Sequence, residues 1–263
     1  MPARRTKRFA RPPLPQRAGL DAARAGAAPR GAGRRGSGGV PGRFPARGSP
    51  GPFEPAEIPI VYEDEHLLVV AKPRTMASIP RGEHIRRSAL VRLRVAHGLP
   101  DLSPIHRLDK QTGGILVLSK IPQERGAYQQ LFARGEVQKR YVAWVSGEGP
   151  TLAELERGPI EIREPIVKRH GDLWAHIDPN GKEAWTSVRM MRRAAQSRRS
   201  LVSLVPHTGR THQLRVHLAH VGLPIVGDEL YPAPAPDPAT GERSRRDVSE
   251  PLALWSVLMA FTD

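Results

Sequence analysis

The 263-residue chain has no cysteine, which removes disulfides, thiolate nucleophiles, cysteine-bound zinc and iron–sulfur clusters from its chemistry and fits a reducing compartment. No apolar run approaches the roughly 18 to 20 residues of a membrane-spanning helix, and no hydrophobic segment follows the N-terminal arginines as a secretory leader would require. A soluble, cytoplasmic protein without a membrane partner is expected. Acids are scarce in one region only. Residues 1–52 hold 12 of the 41 Lys and Arg but one of the 26 acids, Asp21, for a net +11; the other 211 residues carry 29 bases and 25 acids, a net +4.

That first region is rich in Gly, Pro and Arg, contains only Phe9 and Phe44 as aromatics, and has too little apolar surface to offset the entropy of ordering it. It reads as a disordered basic arm, either a solvated tail or a tether that releases counterions from a phosphate-rich polymer. Residues 53–263 form the folded domain. "IPIVYEDEHLLVVAKP" gives two short strands, Ile60 to Tyr62 and Leu67 to Ala71. Ser88 and Gly98 bracket a helix, and Pro122 and Gly135 bracket a second. Strand signals follow at Tyr141 to Val145, Trp174 to Ile177, Trp185 to Met190 and Leu201 to Val205, with "DPNGKE" as a hairpin turn between the middle two. "LALWSVLMAF" supplies a final strand, and the Pro-rich, charged segment 232–250 before it reads as a mobile loop. Strands outnumber helices and do not alternate with them, so an α+β fold with a mixed, largely antiparallel central sheet flanked by helices and loops is predicted.

Three stretches carry chemistry. In "PIHRLDKQTGGILVLSK", Asp109 precedes a Thr-Gly-Gly turn and a buried run, where a carboxylate must reach water, pair with a cation or react. The same stretch is compatible with a structural turn in which Asp109 caps backbone amides. A kinase catalytic loop is excluded, because the order there is H-R-D and no glycine-rich phosphate loop is present. In "VPHTGRTHQLRVHLAHVGLPIVGDELYP", Leu214, Leu218 and Val221 share one side of a helix over 211–221, and Arg215 lies at the edge of that stripe. A half-buried guanidinium needs an anion, and Asp109 and Asp228 both offer one. In "VQKRYVAWVSG", Tyr141 is either a core aromatic or a platform on which a base can stack.

Four histidines, 207, 212, 217 and 220, raise a zinc reading. On a helix His212 is ~140° from His217, and no H-E-x-x-H spacing occurs, so bonds to backbone or phosphate are expected in place of a metal.

Together and in this order, the three stretches resemble the RluA-type family of RNA pseudouridine synthases. The family pattern H-R-L-D-x-x-T-[SG]-G is met by His106 to Gly114, K-x-Y by Lys139 to Tyr141, and T-G-R-T-H-Q-[IL]-R-x-H by Thr208 to His217. "LLVVAKP", "DPNGKEAWTSV" and "GLPIVGDELY" also match, so the likeness covers about residues 58–262. It implies the pseudouridine synthase catalytic fold, with Asp109 as the catalytic aspartate, Tyr141 beside the target base and Arg215 as the partner of the acid. Arg107 would occupy the space left by the extruded uridine. His106, Lys139, Arg140, Arg210 and His212 are expected to contact RNA. The substrate implied is structured RNA, ribosomal or transfer, handled by a monomer. The reaction exchanges a C–N for a C–C glycosidic bond with no net redox change, so no cofactor and no metal are expected.

Gly113 replaces a common serine, Ala71 a common asparagine and Trp255 a common histidine of the family, none at a principal catalytic position. No RNA-binding domain of the S4 type is expected ahead of Ile58. Two other readings compete. A binding module with the same fold would not require the Asp, Tyr and Arg together; a metal-dependent hydrolase would require the histidines to converge.

Overall fold

Alternating apolar residues that can cover both faces of a sheet dominate the strands from residue 60 onward, and a computed structural model shows how they pair. It describes residues 6–10, 58–80, 88–147, 150–194, 198–232 and 245–262. The elements in chain order are β1 (Thr6–Ala10), β2 (Ile60–Glu63), β3 (Leu67–Lys72), α1 (Ala89–His97), β4 (Ser103–Pro104), β5 (Gly113–Ser119), α2 (Arg125–Ala133) and β6 (Gln138–Ser146). They continue with α3 (Pro150–Arg157), β7 (Ile160–Ile162), β8 (Ile166–Val167), β9 (His176–Ile177), β10 (Thr186–Ala194), β11 (Arg199–Pro206), α4 (Gln213–His220) and β12 (Leu254–Thr262). The main sheet runs β2-β3-β5-β12-β6-β11-β10-β7, with β1 on β12 and β4 on β5. Every pairing is antiparallel except β5 with β12. The mixed α+β sheet read from the sequence is thus the observed architecture.

Local signals account for the helix ends. Ser88 accepts a hydrogen bond from Val91 N at the start of α1, and Gly98, at φ +63°, closes it in the left-handed conformation. Pro122 opens a single 3-10 turn that leads into α2, and Gly135 (φ +74°) follows the end of that helix. Leu68, Val70, Leu116 and Leu118 pack under α1 through Leu90 and Leu93. Ala143, Val145, Val188, Val202 and Leu204 pack under α4 through Leu214 and Leu218.

Two expectations need correction, and two further features complete the picture. Thr6–Ala10, inside the supposed arm, is a strand whose Phe9 is 4% exposed and whose Lys7 donates to Asp64 at 2.9 Å; the rest of the arm, residues 1–5 and 11–52, lies outside the described residues. "DPNGKE" does not close a hairpin between neighbouring strands. β9 pairs with β8 in a separate ribbon, Lys182 bridges back to Ile166, and β10 pairs with β7 and β11. Helix α3 was not expected; Leu152 and Leu155, three apart, bury its apolar side. Of the supposed mobile loop 232–250, residues 233–244 lie outside the described residues. The returning end is tied down: Arg246 N donates to Glu229 O and Glu250 forms a two-pronged pair with Arg199.

Candidate active site

The turn that carries Asp109 is held from below. Ser78 Oγ donates to Leu108 O at 2.8 Å and accepts from Leu108 N at 3.0 Å, and Thr112 N returns to Asp109 O. Lys72, 1% exposed, spends its three donors on the carbonyls of Pro73, Met76 and Lys110 at 3.0, 2.6 and 3.2 Å. Burial pulls the Lys72 ammonium down to about 7, against the pull of the nearby Asp109 charge. At Gly114, φ is +106° and an added Cβ would run into the Ser256 carbonyl oxygen, so glycine is required where β5 meets β12. The result is a fixed acid at the mouth of a strand, its side chain 24% exposed.

Helix α4 brings the guanidinium. Arg215 is 3% exposed and donates through Nε and Nη2 to Asp228 at 2.8 and 2.6 Å, while its Nη1 stands 3.6 Å from Asp109 Oδ2. The sequence left Asp109 and Asp228 open as its anion; the hydrogen bonds go to Asp228 and the remaining nitrogen faces Asp109. Burial opposes the Arg215 charge, but Asp228 first and Asp109 second outweigh it and hold the pKa above that of an ordinary arginine. Asp228 also accepts from Leu230 N and Tyr231 N at 2.9 and 3.1 Å.

His212 enters α4 in a left-handed conformation, φ +57°. Its Nε2 lies 3.9 Å from Asp109 Oδ2 and its Nδ1 is 2.9 Å from the Tyr231 hydroxyl. Burial lowers its pKa, partly offset by Asp109, so the ring is neutral at pH 7. Gln213 locks the preceding loop: its Oε1 accepts from Thr208 Oγ1 and Arg210 N, and its Nε2 donates to Trp185 O and Thr186 Oγ1.

Tyr141, on β6 opposite Ser256 of β12, completes the floor. Burial and then the Asp109 charge push its phenol up to about 12, with the Ser256 hydroxyl tempering the rise. The phenol therefore keeps its proton at neutral pH. It can stack, and it can donate a hydrogen bond.

The other expected RNA contacts divide. Lys139 is half-buried, donates to Thr208 O at 3.2 Å and has its pKa lowered by burial. Arg107 and Arg210 are exposed, and Arg210 Nε donates to Glu183 O. Two residues are not brought into the site. Arg140 projects to the sheet face away from Tyr141, because neighbours on a strand alternate. His106 accepts from Val117 N at 3.0 Å and stacks on Phe132, and burial pushes it down to about 3; its ring serves the fold. Nor do the four histidines converge. His217 contacts Thr186 and Glu164, and His207 stacks on Trp185. Among the described residues no three His, Asp or Glu side chains gather as metal ligands, and no helix is long and apolar enough to cross a membrane.

Sequence reasoning missed Lys72, Ser78, Gln213 and Tyr231 as supports. Lys72, Gln213 and Tyr231 lie inside quoted stretches and Ser78 outside them, but a buried hydrogen bond leaves no periodic trace.

Comparison with known proteins agrees with this geometry. A family model described as RNA pseudouridylate synthase matches residues 66–220. Human RNA Pseudouridylate Synthase Domain Containing 1 superposes with a TM-score of 0.60 at 26% identity, over 78% of this chain and 79% of that one. The fold is therefore that of a pseudouridine synthase. RNA pseudouridine synthase 7 of Oryza sativa subsp. japonica is 32% identical over 202 residues, which cover 75% of this chain and 50% of that protein. The dual-specificity RNA pseudouridine synthase RluA of Vibrio parahaemolyticus is 35% identical over 175 residues, 65% of this chain and 68% of that one. The chain belongs to the RluA-type family of RNA pseudouridine synthases. It spans about half the length of several curated relatives that it matches, 50% and 53% in two of them.

Proposed function

We propose that this protein isomerises uridine to pseudouridine in structured RNA, with Asp109 as the catalytic residue, Arg215 holding the acid in place and Tyr141 stacking against the target base. The observation that carries the reading is the placement of a partly exposed carboxylate 3.6 Å from a buried guanidinium that is already neutralised by a second acid. Asp109 is thereby positioned without being consumed by a tight hydrogen-bonded pair. In the reaction the C1′–N1 bond breaks with Asp109 acting either as nucleophile at C1′ or as the base that removes the C2′ proton. The uracil turns, C5 bonds to C1′, and the C5 proton leaves while N1 gains one, so atoms and charge balance without a cofactor. Since the Tyr141 phenol is protonated, the C5 proton goes to the released Asp109 carboxylate or to water.

The target base must leave its stack to reach the partly exposed Asp109 carboxylate. Arg107, exposed two residues before the acid, is suited to fill the vacated space, and His212, 3.9 Å from Asp109, is suited to contact the bound RNA. Relatives named for the large ribosomal subunit support ribosomal RNA as the substrate, and the family resemblance adds transfer RNA. The test is a transcriptome-wide pseudouridine map with and without the gene, complemented by Asp109→Asn. The expected result is loss of a defined uridine site that wild-type protein restores and Asp109→Asn does not. A variant at 109 that restores modification would overturn the assignment; so would a map with no missing site, which a binding module would give.

A further inference from the structure

Three of the four tryptophans stand on one face of the sheet, and each is covered by an arginine. In the register of β10, β11, β6 and β12, the side chains opposite the α4-covered layer fall into rows: Arg192 beside Leu201 and Trp144, and Arg189 beside Ser203, Val142 and Trp255. At the β7 end of the same face Trp185 stacks on His207 with centroids 3.8 Å apart. The guanidiniums of Arg163, Arg192 and Arg74 lie 4.2, 5.3 and 5.0 Å from the ring centroids of Trp185, Trp144 and Trp255. Arg163, Arg189 and Arg192 are exposed, and none forms an ion pair among the described residues. Glu161 on this face accepts from Ser187 and the Trp185 indole, and Glu250 at its edge is taken up by Arg199, so both acids are already partnered. Five strands at about 4.8 Å spacing make the platform roughly 20 Å wide.

Flat aromatic faces capped by cations are suited to one ligand chemistry above others. A nucleobase stacks on the indole or on the guanidinium plane, and the guanidinium N–H groups that point away from the ring meet the phosphates between bases. A purely apolar partner would leave three arginines without an anion, and a lipid surface would not use the ring planes. We propose that this sheet face is a second RNA-binding surface, on the side of the sheet away from the Asp109 cleft, that holds a single-stranded stretch of the RNA being modified. The proposal rests on the reading of the protein as an RNA enzyme, but its test does not depend on catalysis.

The probe is a fluorescent 15-nucleotide oligoadenylate, which contains no uridine and so cannot serve as a target for the Asp109 site. Wild-type full-length chain is expected to bind it with quenching of tryptophan emission. The variant Arg163→Gln/Arg189→Gln/Arg192→Gln, whose positions are exposed, is expected to bind about tenfold or more weakly at 0.1 M salt. Its plot of log K against log salt should be shallower by about 2, the value for three lost phosphate contacts on a single strand. Asp109→Asn should bind as wild type does, so that failure of the catalytic reading and failure of this one can be told apart. Unchanged affinity and slope in the triple variant would overturn the proposal, as would wild-type protein that does not bind the probe. A triple variant that alters self-association in sedimentation while leaving oligoadenylate binding intact would assign the face to a second copy of the chain.

Discussion

Two carboxylates flank Arg215 and differ in almost every respect. Asp228 is 1% exposed and takes four hydrogen bonds, two from the guanidinium and two from backbone N–H groups. Asp109 is about a quarter exposed, accepts no side-chain hydrogen bond among the described residues, and has the Arg215 guanidinium at 3.6 Å and the neutral His212 ring at 3.9 Å. A saturated acid is a structural part: its lone pairs are committed and its charge is cancelled. An acid left short of partners beside a neutralised guanidinium keeps its lone pairs for another molecule. The division of labour lets the protein bury a charged arginine at tolerable cost and still point one of its nitrogens at Asp109.

The sharpest way to break the contrast is to remove the holding acid. Asp228→Ala should cost about 3–5 kcal/mol in urea unfolding, because it strands a buried guanidinium, whereas Asp109→Asn should change stability by less than about 1 kcal/mol while abolishing modification. The pair Arg215→Met/Asp228→Leu sharpens the point: most of the stability should return, and activity should not. Equal losses for Asp228→Ala and Asp109→Asn would contradict the assignment of separate roles.

Next in size is the turn itself. Gly114→Ala places a side chain at φ +106° against the Ser256 carbonyl and should cost about 2–3 kcal/mol, with a midpoint shift in thermal melting. Lys72→Met strips three carbonyls of their donor and should cost about 1–2 kcal/mol. Its pH dependence is distinctive. Because the folded-state pKa is about 7 against an ordinary 10.5, the unfolded chain binds more protons between those values and wild-type stability rises with pH there. The variant lacks that rise, so its deficit should be larger at pH 9 than at pH 7.

The smallest expected effect lies far from the cleft, at the anchor of β1. Asp64 accepts from Lys7, Tyr62 and the backbone of His66 and Leu67. Although burial raises its pKa, these donors outweigh it and hold the carboxyl down at about 2. Its contribution is present above the ordinary 3.8 and fades as the pH falls through about 2. Asp64→Asn should therefore cost about 1 kcal/mol at pH 6, a modest figure because the site is mostly solvated, and should converge with wild type in acid unfolding near pH 2.

Much of this arrangement was legible in the residues alone, for identifiable reasons. Ser88 and Gly98 announce α1 because capping is local chemistry, and the apolar stripe of α4 placed Arg215 at its edge because helical periodicity is fixed by geometry. The competition between Asp109 and Asp228 could not be resolved, since it turns on a difference of about 1 Å set by tertiary packing. β1 was hidden because a single Phe9 in a Gly-, Pro- and Arg-rich stretch gives no alternation to read. The hairpin at 178–183 was misread because the turn signal is real but its partner strand, β8, is only two residues long. Lys72 and Ser78 act through backbone carbonyls and amides, which every sequence supplies, so no pattern marks them.

Strand β12 lies between β5 and β6 and is the parallel neighbour of the one and the antiparallel neighbour of the other. Before residues 254–262 have been synthesised, the acid at 109 and the phenol at 141 belong to two sheets with no strand in common. A growing polypeptide on the ribosome would thus complete its central sheet only once its last described strand has emerged, more than a hundred residues after Tyr141.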